Sequence, residues 1–322
     1  MEKKMTIIMA VKDREQSVAT ALDSIFSQSY RPFSLIIADN GSTDRTSEII
    51  ANWAERHRSD DFDIKIIREE APGASKARNR GLEAAQTEYV MFFDSDDIME
   101  FDHLERIMKH LDRFPETELL HWGIAIRDSD GWTTQKFSRH DNDLLAEHIL
   151  YGTLATARFC VKKETLRKSG AWNEDLSTWD DLELGVRLIN NIEPGKIHRL
   201  NGPARVIAIT GENTLTGKSF SSRSEAHTRS LEKIEENIGD DQRSGLIIDA
   251  RRAILAAEYR REGSADLSAC ELKKALDGRS LREKLKLRSI YSLQKVAGRG
   301  GSALTLWMFP TIKENEKQTE IG

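Results

Sequence analysis

From Met5 to Pro115 short apolar runs alternate with segments of helical period. "MTIIMAV" is a compact β-rich run, and "EQSVATALDSIFSQS" then places Val18, Leu22, Ile25 and Phe26 at helical spacing. "FSLIIADNGSTD" predicts a second strand closing in turn chemistry. "RTSEIIANWAERHR" predicts a helix with Thr43 or Asp44 as its cap. "FDIKIIRE" reads as a third strand, "GASKARNRGLEAAQ" as a loop and helix, and "EYVMFFDSDD" as a fourth strand. Strands alternating with helices of this length predict βαβ units and an α/β fold: a mostly parallel sheet flanked by helices. The pattern changes after "HLERIMKHLDRFP". "ELLHWGIAIRDSDGWTTQKF" predicts a hairpin turning at Asp130-Gly131. "ATARFCVKKETLRKSGAW" predicts a strand and a helix, "DDLELGVRLIN" a helix, and "ARVIAIT" a last strand. Beyond about Gly211 only helical patterns follow, so two regions are expected: 1–220, and a helical C-terminal extension over 221–322.

Ligands of parallel sheets bind outside the carboxyl ends of the strands. The polar signals sit there: Asp13, Asp39, and Asp94 to Asp97. In "VMFFDSDDIM" a buried-type strand runs into three carboxylates. Like charges that close raise one another's proton affinity unless a cation sits among them. Asp94, Asp96 and Asp97 therefore read either as ligands of a hard divalent cation or as a solvated turn with helix-capping aspartates. "DSDDIMEFDHLE" lacks the mid-loop glycine of an EF-hand. Asp39 reads as an acceptor for a base or ribose, or as part of the Asn40-Gly41 turn. Gly73, Lys76, Arg78, Asn79 and Arg80 form a phosphate-binding helix start or an ordinary basic face. Asp180 and Asp181 open a helix, where the macrodipole favours carboxylates; the functional reading makes one of them a general base.

Composition narrows the classes. The 322 residues carry a net charge of −5, which argues against a nucleic-acid partner. Two distant cysteines, Cys160 and Cys270, give no disulfide scaffold or zinc site. The apolar stretch Met5 to Val11 is short for a signal peptide, and no run nears the roughly 18 residues of a membrane span. A cytoplasmic protein is expected. There is no GxxxxGK[ST], GxGxxG or GxSxG, and His57, His103, His110, His121, His140, His148, His198 and His227 are scattered as surface or satisfied histidines.

Taken in order, five motifs resemble the family 2 glycosyltransferases of the GT-A fold. They are "TIIMAVKDREQSVATALDSIFSQSY", "SLIIADNGSTDRTSEII", "GASKARNRGLEAAQTEYVMFFDSDD", "VKKETLRKSGAWNEDL" and "WDDLELGVRL". The resemblance covers about Met5 to Asn213 and implies a Rossmann-like GT-A sheet. It implies that Ala10, Val11, Lys12 and Glu15 line a nucleotide pocket and that Asp39 holds the base or ribose. Lys76 and Asn79 would approach the nucleotide. Asp94, Asp96 and Asp97 would form the Mn²⁺ or Mg²⁺ and diphosphate motif, with Asp96 and Asp97 nearest the ion. Asp181 would be the catalytic base, with Trp179 and Asp180 shaping the acceptor site. The implied reaction is inverting displacement from a nucleotide-diphosphate sugar, of the UDP-sugar class, onto a saccharide or lipid-linked hydroxyl. Cell-surface polysaccharide or glycolipid synthesis is the pathway the family suggests. Three departures stand out. Ala10-Val11-Lys12-Asp13 replaces a segment with Pro that ends in Tyr-Asn. Asp180-Asp181 replaces Glu-Asp. Thr210 and Asn213 follow the last strand where many members carry His.

Two other functions compete. A nucleotidyltransferase shares the sheet and acids, but "MAVKDRE" lacks its glycine-rich loop. A binding-only protein would keep the fold and lose catalysis. In the tail, Arg279, Arg282, Lys284, Lys286, Arg288 and Lys295 interleave with Leu281, Leu285, Leu287, Ile290, Tyr291 and Leu293. That basic amphipathic stretch fits a peripheral contact with the inner face of a membrane, a homodimer contact, or docking on its own protein.

Overall fold

The computed structural model describes residues 4–127, 131, 133–136, 143–209, 219–238, 242–297, 305 and 308–309. The first half alternates as expected: β1 (Met5–Val11), α1 (Val18–Phe26), β2 (Phe33–Asp39), α2 (Thr46–His57), β3 (Phe62–Arg68), α3 (Ala74–Ala84) and β4 (Tyr89–Asp94). Then come β5 (Ile98–Met99), α4 (His103–Arg113), β6 (Leu119–Trp122), β7 (Ile124–Arg127), β8 (Thr133–Lys136), α5 (Leu144–Tyr151) and β9 (Phe159–Lys162). The chain continues through α6 (Lys163–Lys168), α7 (Asp180–Asn191), β10 (Ile197–Leu200) and β11 (Val206–Ile209). Four helices follow: α8 (Ser224–Ile238), α9 (Gln242–Arg261), α10 (Ala265–Leu276) and α11 (Leu281–Ala297).

The main sheet has the order β10-β6-β9-β4-β1-β2-β3, and a smaller one the order β5-β11-β7-β8. Strands β4, β1, β2 and β3 are mutually parallel, while β9 runs antiparallel to β4 and β6. The sheet grows from β1 in both directions, through β2 on one side and β4 on the other. That is a topological switch point, where a crevice opens at the strands' carboxyl ends.

Successive side chains of a strand face opposite ways, and here both faces are covered. Met5, Ile7 and Met9 pack with Leu22, Ile25, Trp53, Leu104 and Ile107 on one face. Ile8, Val90 and Phe92 pack with Leu82, Leu166, Leu184 and Leu188 on the other. A third core joins Ile149, Leu150, Leu182 and Val186 to Leu231, Ile234, Ile247, Ile254, Leu287 and Ile290. The helical extension thus shares its core with α5 and α7. Of the tail's apolar residues, Leu287 and Ile290 are buried by this docking, whereas Leu281 and Leu285 stay exposed. Among the described residues no helix is long and apolar enough to cross a membrane.

The structure differs from the sequence reading in three places. The expected hairpin strand breaks at Gly123: β6 joins the main sheet beside β9, and β7 pairs with β8 in the smaller one. Gly131 supplies a positive φ of 83° to the β7–β8 turn, while Asp130 lies outside the described residues. Strands β5 and β10 and helix α5 were not expected. β5 has only two residues, β10 is the polar edge strand "IHRL", and α5 buries residues around most of its circumference, which blurs its period. Neither candidate cap of α2 holds the cap position, which is Arg45; Asp44, one residue earlier, accepts the Thr46 N–H through Oδ1 at 2.9 Å.

His148 locks α5 to α7. Its Nδ1 accepts the Leu154 N–H at 3.1 Å, so Nε2 carries the proton and donates to the Leu182 carbonyl at 2.9 Å. A Cβ on Gly185 would overlap this ring. Gly185→Ala gains roughly 1 kcal/mol of helix propensity but incurs about 1–3 kcal/mol of overpacking, plus weakened bonds of about 1 kcal/mol each. A net loss of about 2 kcal/mol is expected in urea unfolding, and a stabilised variant would refute this account of the α5–α7 contact.

Candidate active site

Strand register brings the site together. Ala10 of β1 sits opposite Asp94 of β4, and Val11 opposite Asp39 of β2. The two loops beyond β1 and β2 are zipped to each other. Asp13, at φ 49°, accepts the Thr43 N–H at 2.7 Å. Glu15 accepts the Arg45 N–H at 3.1 Å, and its own N–H donates to Asp44 at 3.1 Å. Glu15 therefore serves the start of α2. Lys12 is exposed. Asp39 is buried, with Oδ1 accepting the Ser42 N–H at 2.9 Å and Oδ2 accepting the Ser47 hydroxyl. Its carboxylate is taken up by the turn. Asn40 holds the approach to α3, donating to the Ala71 carbonyl at 2.7 Å and accepting the Gly73 N–H at 2.8 Å.

Arg78 is the centre of the charge arrangement. Its guanidinium donates to Asp180 Oδ2 at 2.7 Å and to Asp94 Oδ1 at 3.3 Å, and lies 4.4 Å over the Trp172 ring. Burial opposes its charge, but Asp180, Asp94 and Asp181 together outweigh burial and raise its proton affinity. Ser75 adds a second bond to Asp180 Oδ2 at 2.8 Å. Trp172 is held by Asn79, whose Oδ1 accepts the Trp172 N–H at 3.0 Å and whose Nδ2 donates to the Trp172 carbonyl at 2.9 Å. Nδ2 also reaches Glu174 at 2.8 Å. Asn79 was expected to approach a nucleotide; its amide instead anchors the tryptophan under Arg78. Lys76 has no ion-pair partner among the described residues.

The acidic groups divide by what they touch. Asp97 is buried and turns away toward β11, accepting the Ile209 N–H at 3.2 Å. Burial, then Asp94 and Asp96, push its proton affinity well above the usual carboxylate range. Asp94 is raised by burial, with Asp96 adding to the rise and Arg78 opposing it. Yet the side chains of Asp94 and Asp96 remain 39% and 23% exposed. Asp96 faces Arg14 Nε at 3.6 Å. The expected three-ligand set does not form: among the described residues no three His, Cys, Asp or Glu converge on one metal position. Asp97 is instead bonded to Ile209, the last residue of β11. Thr210 and Asn213 lie outside the described residues.

Asp181 differs from its neighbour Asp180. Only its Oδ1 is bonded, to the Leu182 N–H at 2.8 Å, so Oδ2 has no partner among the described residues. Burial, then the charge of Asp180, lift it to about 6, with Arg78 pulling the other way. Trp179, just before this pair, is left-handed at φ 52°, a strain of roughly 1–3 kcal/mol for a side chain of this size. Arg251 of α9 lies 4.3 Å over its ring and His227 of α8 4.4 Å from it. His103, His121, His148 and His227 are buried, and desolvation keeps all four neutral. Sequence reasoning missed the roles of Arg78, Arg14 and Arg251. Arg78 stood in the quoted "KARNR" run, whereas nothing about "IDARRAIL" pointed toward Asp181.

The family model described as glycosyl transferase family 2 matches residues 6–171. A curated relative, the glycosyltransferase GlyA of Streptococcus pneumoniae, is 36% identical over 111 residues, covering 34% of this chain and 15% of that protein. The stretches matched in the first curated relatives span 15% to 49% of those proteins' own lengths. Among solved structures, S. aureus TarS 1–349 in complex with UDP-GlcNAc superposes at TM-score 0.65 and 18% identity, covering 92% of each chain. Mannosyltransferase PcManGT from Pyrobaculum calidifontis, in complex with GDP-Man and Mn²⁺, gives TM-score 0.57 and 18% identity, covering 96% of this chain and 89% of that one. These likenesses establish the GT-A type of sheet.

The crowding at Asp97 has a measurable sign. A folded-state value above the unfolded one means the folded protein binds the proton more tightly. That stabilisation is complete below the unfolded value of about 4 and is lost as pH rises toward the folded value. Asp97→Asn keeps the Oδ1 acceptor and removes the charge. Without ligands, its melting midpoint should exceed wild type at pH 7, with the gap closing toward pH 4. A lower midpoint at pH 7 would show that Asp97 is not a destabilising charge.

Proposed function

The chain belongs to glycosyl transferase family 2, and on that premise we propose that it moves a sugar from a nucleotide-diphosphate donor of the UDP-sugar class to an acceptor hydroxyl, with inversion at the anomeric carbon. The observation that carries this reading is the division of labour between Asp180 and Asp181. Asp180 is paired with Arg78 and hydrogen-bonded by Ser75, whereas Asp181 keeps one oxygen unbonded among the described residues and a proton affinity lifted to about 6. A carboxylate in that state is a base matched to neutral pH.

Asp181 Oδ2 accepts the proton of an acceptor hydroxyl bound beside Trp179. The freed oxygen attacks the anomeric carbon from the face opposite the nucleotide, and the bond to the diphosphate breaks. Arg78 holds Asp94 and Asp180 in register on either side of this line. Lys76, without an ion-pair partner among the described residues, is the cation for the nucleotide phosphates, and Lys12 and the ends of β1 and β2 (Ala10, Val11, Asp39) border the nucleoside. The oxygen donors of Asp94 and Asp96, partly exposed and each with one long arginine contact, fit a hard divalent ion. Mn²⁺ or Mg²⁺ held there would offset the charge gathering on the departing diphosphate. Asp97, bonded to Ile209, is a weaker candidate ligand. The acceptor class we favour is a saccharide or lipid-linked saccharide of the cell surface.

Thermal unfolding with UDP, GDP, CDP and dTDP, each with and without Mn²⁺, tests the donor class, since a ligand of the folded state raises the midpoint by mass action. One nucleotide with a metal-dependent shift is expected; no shift with any of them favours a protein that has lost the site. Asp181→Asn should keep that shift and lose at least about 100-fold in turnover, in line with general-base contributions. Because protonated Asp181 cannot accept a proton, kcat/KM should fall about tenfold per unit below about pH 6. An acid limb unchanged in position when Asp181 is replaced would sink its role as base.

A further inference from the structure

The helical extension reaches back to the residues that precede the base. Thr178 and Trp179 lead into α7 and are gripped by side chains from α8, α9 and the turn just before α8. Ser230 donates its hydroxyl to the Thr178 carbonyl at 2.6 Å. Arg223 donates to the Thr178 hydroxyl at 3.3 Å. The His227 and Arg251 side chains both pack on the Trp179 ring. Arg251 also donates through one terminal nitrogen to the Leu150 carbonyl of α5 at 3.2 Å, while its buried Nε has no acceptor among the described residues. Its guanidinium lies in the field of Asp181, which favours its charge against burial.

A left-handed backbone at a tryptophan persists only where the surroundings over-determine it. The hydrogen bonds to Thr178 and the ring contacts on Trp179 named above come from beyond residue 220. We infer that Arg251 is a positioning residue for the transfer reaction: by clamping Trp179 in its left-handed conformation it fixes the start of α7 and so the aim of Asp181. The inference rests on Asp181 being the base. Released from the clamp, Trp179 relaxes to a right-handed or extended backbone, and the first turn of α7 swings with it. A carboxylate displaced by about 1 Å from its acceptor loses on the order of 100-fold in rate. A guanidinium that only filled core volume would affect unfolding and leave turnover per folded molecule unchanged.

The test uses the full chain carrying Arg251→Met, Arg251→Lys or Ser230→Ala. For each, kcat, donor KM, the melting midpoint and the nucleotide-Mn²⁺ shift of that midpoint are measured. Arg251→Met should lower kcat about 10- to 100-fold, with donor KM within about twofold and the nucleotide shift retained. Arg251→Lys keeps the charge but not the planar stack, so it should recover only part of kcat. Ser230→Ala loosens the same segment from α8 and should show a smaller loss of the same kind. If Arg251→Met does not fold, the other two variants decide. A kcat within about twofold of wild type in the folded variants, or a loss shared equally by donor KM and nucleotide binding, overturns the inference. Asp181→Asn separates the two levels. If it is inactive while the Arg251 variants are fully active, the clamp alone is wrong; if it is fully active, the base assignment falls and the clamp with it.

Discussion

One buried guanidinium makes the rest of the site electrostatically feasible. Strands β1, β2 and β4 run parallel, so their ends deliver polar groups to one place, and α7 adds two more carboxylates there. Four acids in a partly desolvated space would be prohibitive without a cation. Arg78 supplies it, bonded to Asp180 and Asp94 and stacked on Trp172. Arginine suits the position because its planar fork serves two carboxylates at once and its flat face accepts an indole. Asn79, the next residue, fixes that indole by both backbone groups of Trp172. Two adjacent residues of α3 thereby tie together β4, the segment before α7 and α7 itself.

The sheet was legible because its cause is local. Apolar runs of about seven residues alternating with amphipathic helices leave few alternatives, and the acids at the ends of β2 and β4 mark the crevice. Legibility failed where pairing rather than pattern decides. Gly123 divides one apolar stretch between two sheets, and nothing in "LLHWGIAIR" announces which half joins which. Among the candidate site residues, type was readable and direction was not. Asp94, Asp96 and Asp97 are three similar letters in one turn, yet Asp97 faces the Ile209 amide and leaves the other two to the open side. Asp180 and Asp181 are likewise indistinguishable on paper; the difference is made by Ser75 and Arg78. Asn79 was read as a ligand-facing amide because a side-chain amide binds a backbone as readily as a nucleotide.

The family likeness spans residues 6–171 and ends before Trp179, Asp180 and Asp181. The charges beside Asp181 therefore come from both sides of that limit: Arg78, Asp94 and Arg158 within it, Asp180 and Arg251 beyond it. The core shared by α5, α7, α8, α9 and α11 has the same character. Its residues run from Ala146 to Phe309, about half of the chain, so the helical region is bound to the sheet region by packing as well as by the contacts on Trp179.

That shared core has a consequence for synthesis. A ribosome releases the sheet-forming residues first, and β1 to β4 with their helices can close while the rest is still being made. Leu182 and Val186 then await Leu231, Ile234, Ile247 and Ile254, which emerge later. Until they arrive, α7 lacks a partner for one apolar face, and the nascent chain exposes a greasy ledge beside four acids. Translation thus passes through an interval in which this protein resembles a chaperone client more than an enzyme. A stop codon between α7 and α9 would leave that face without Ile247 and Ile254.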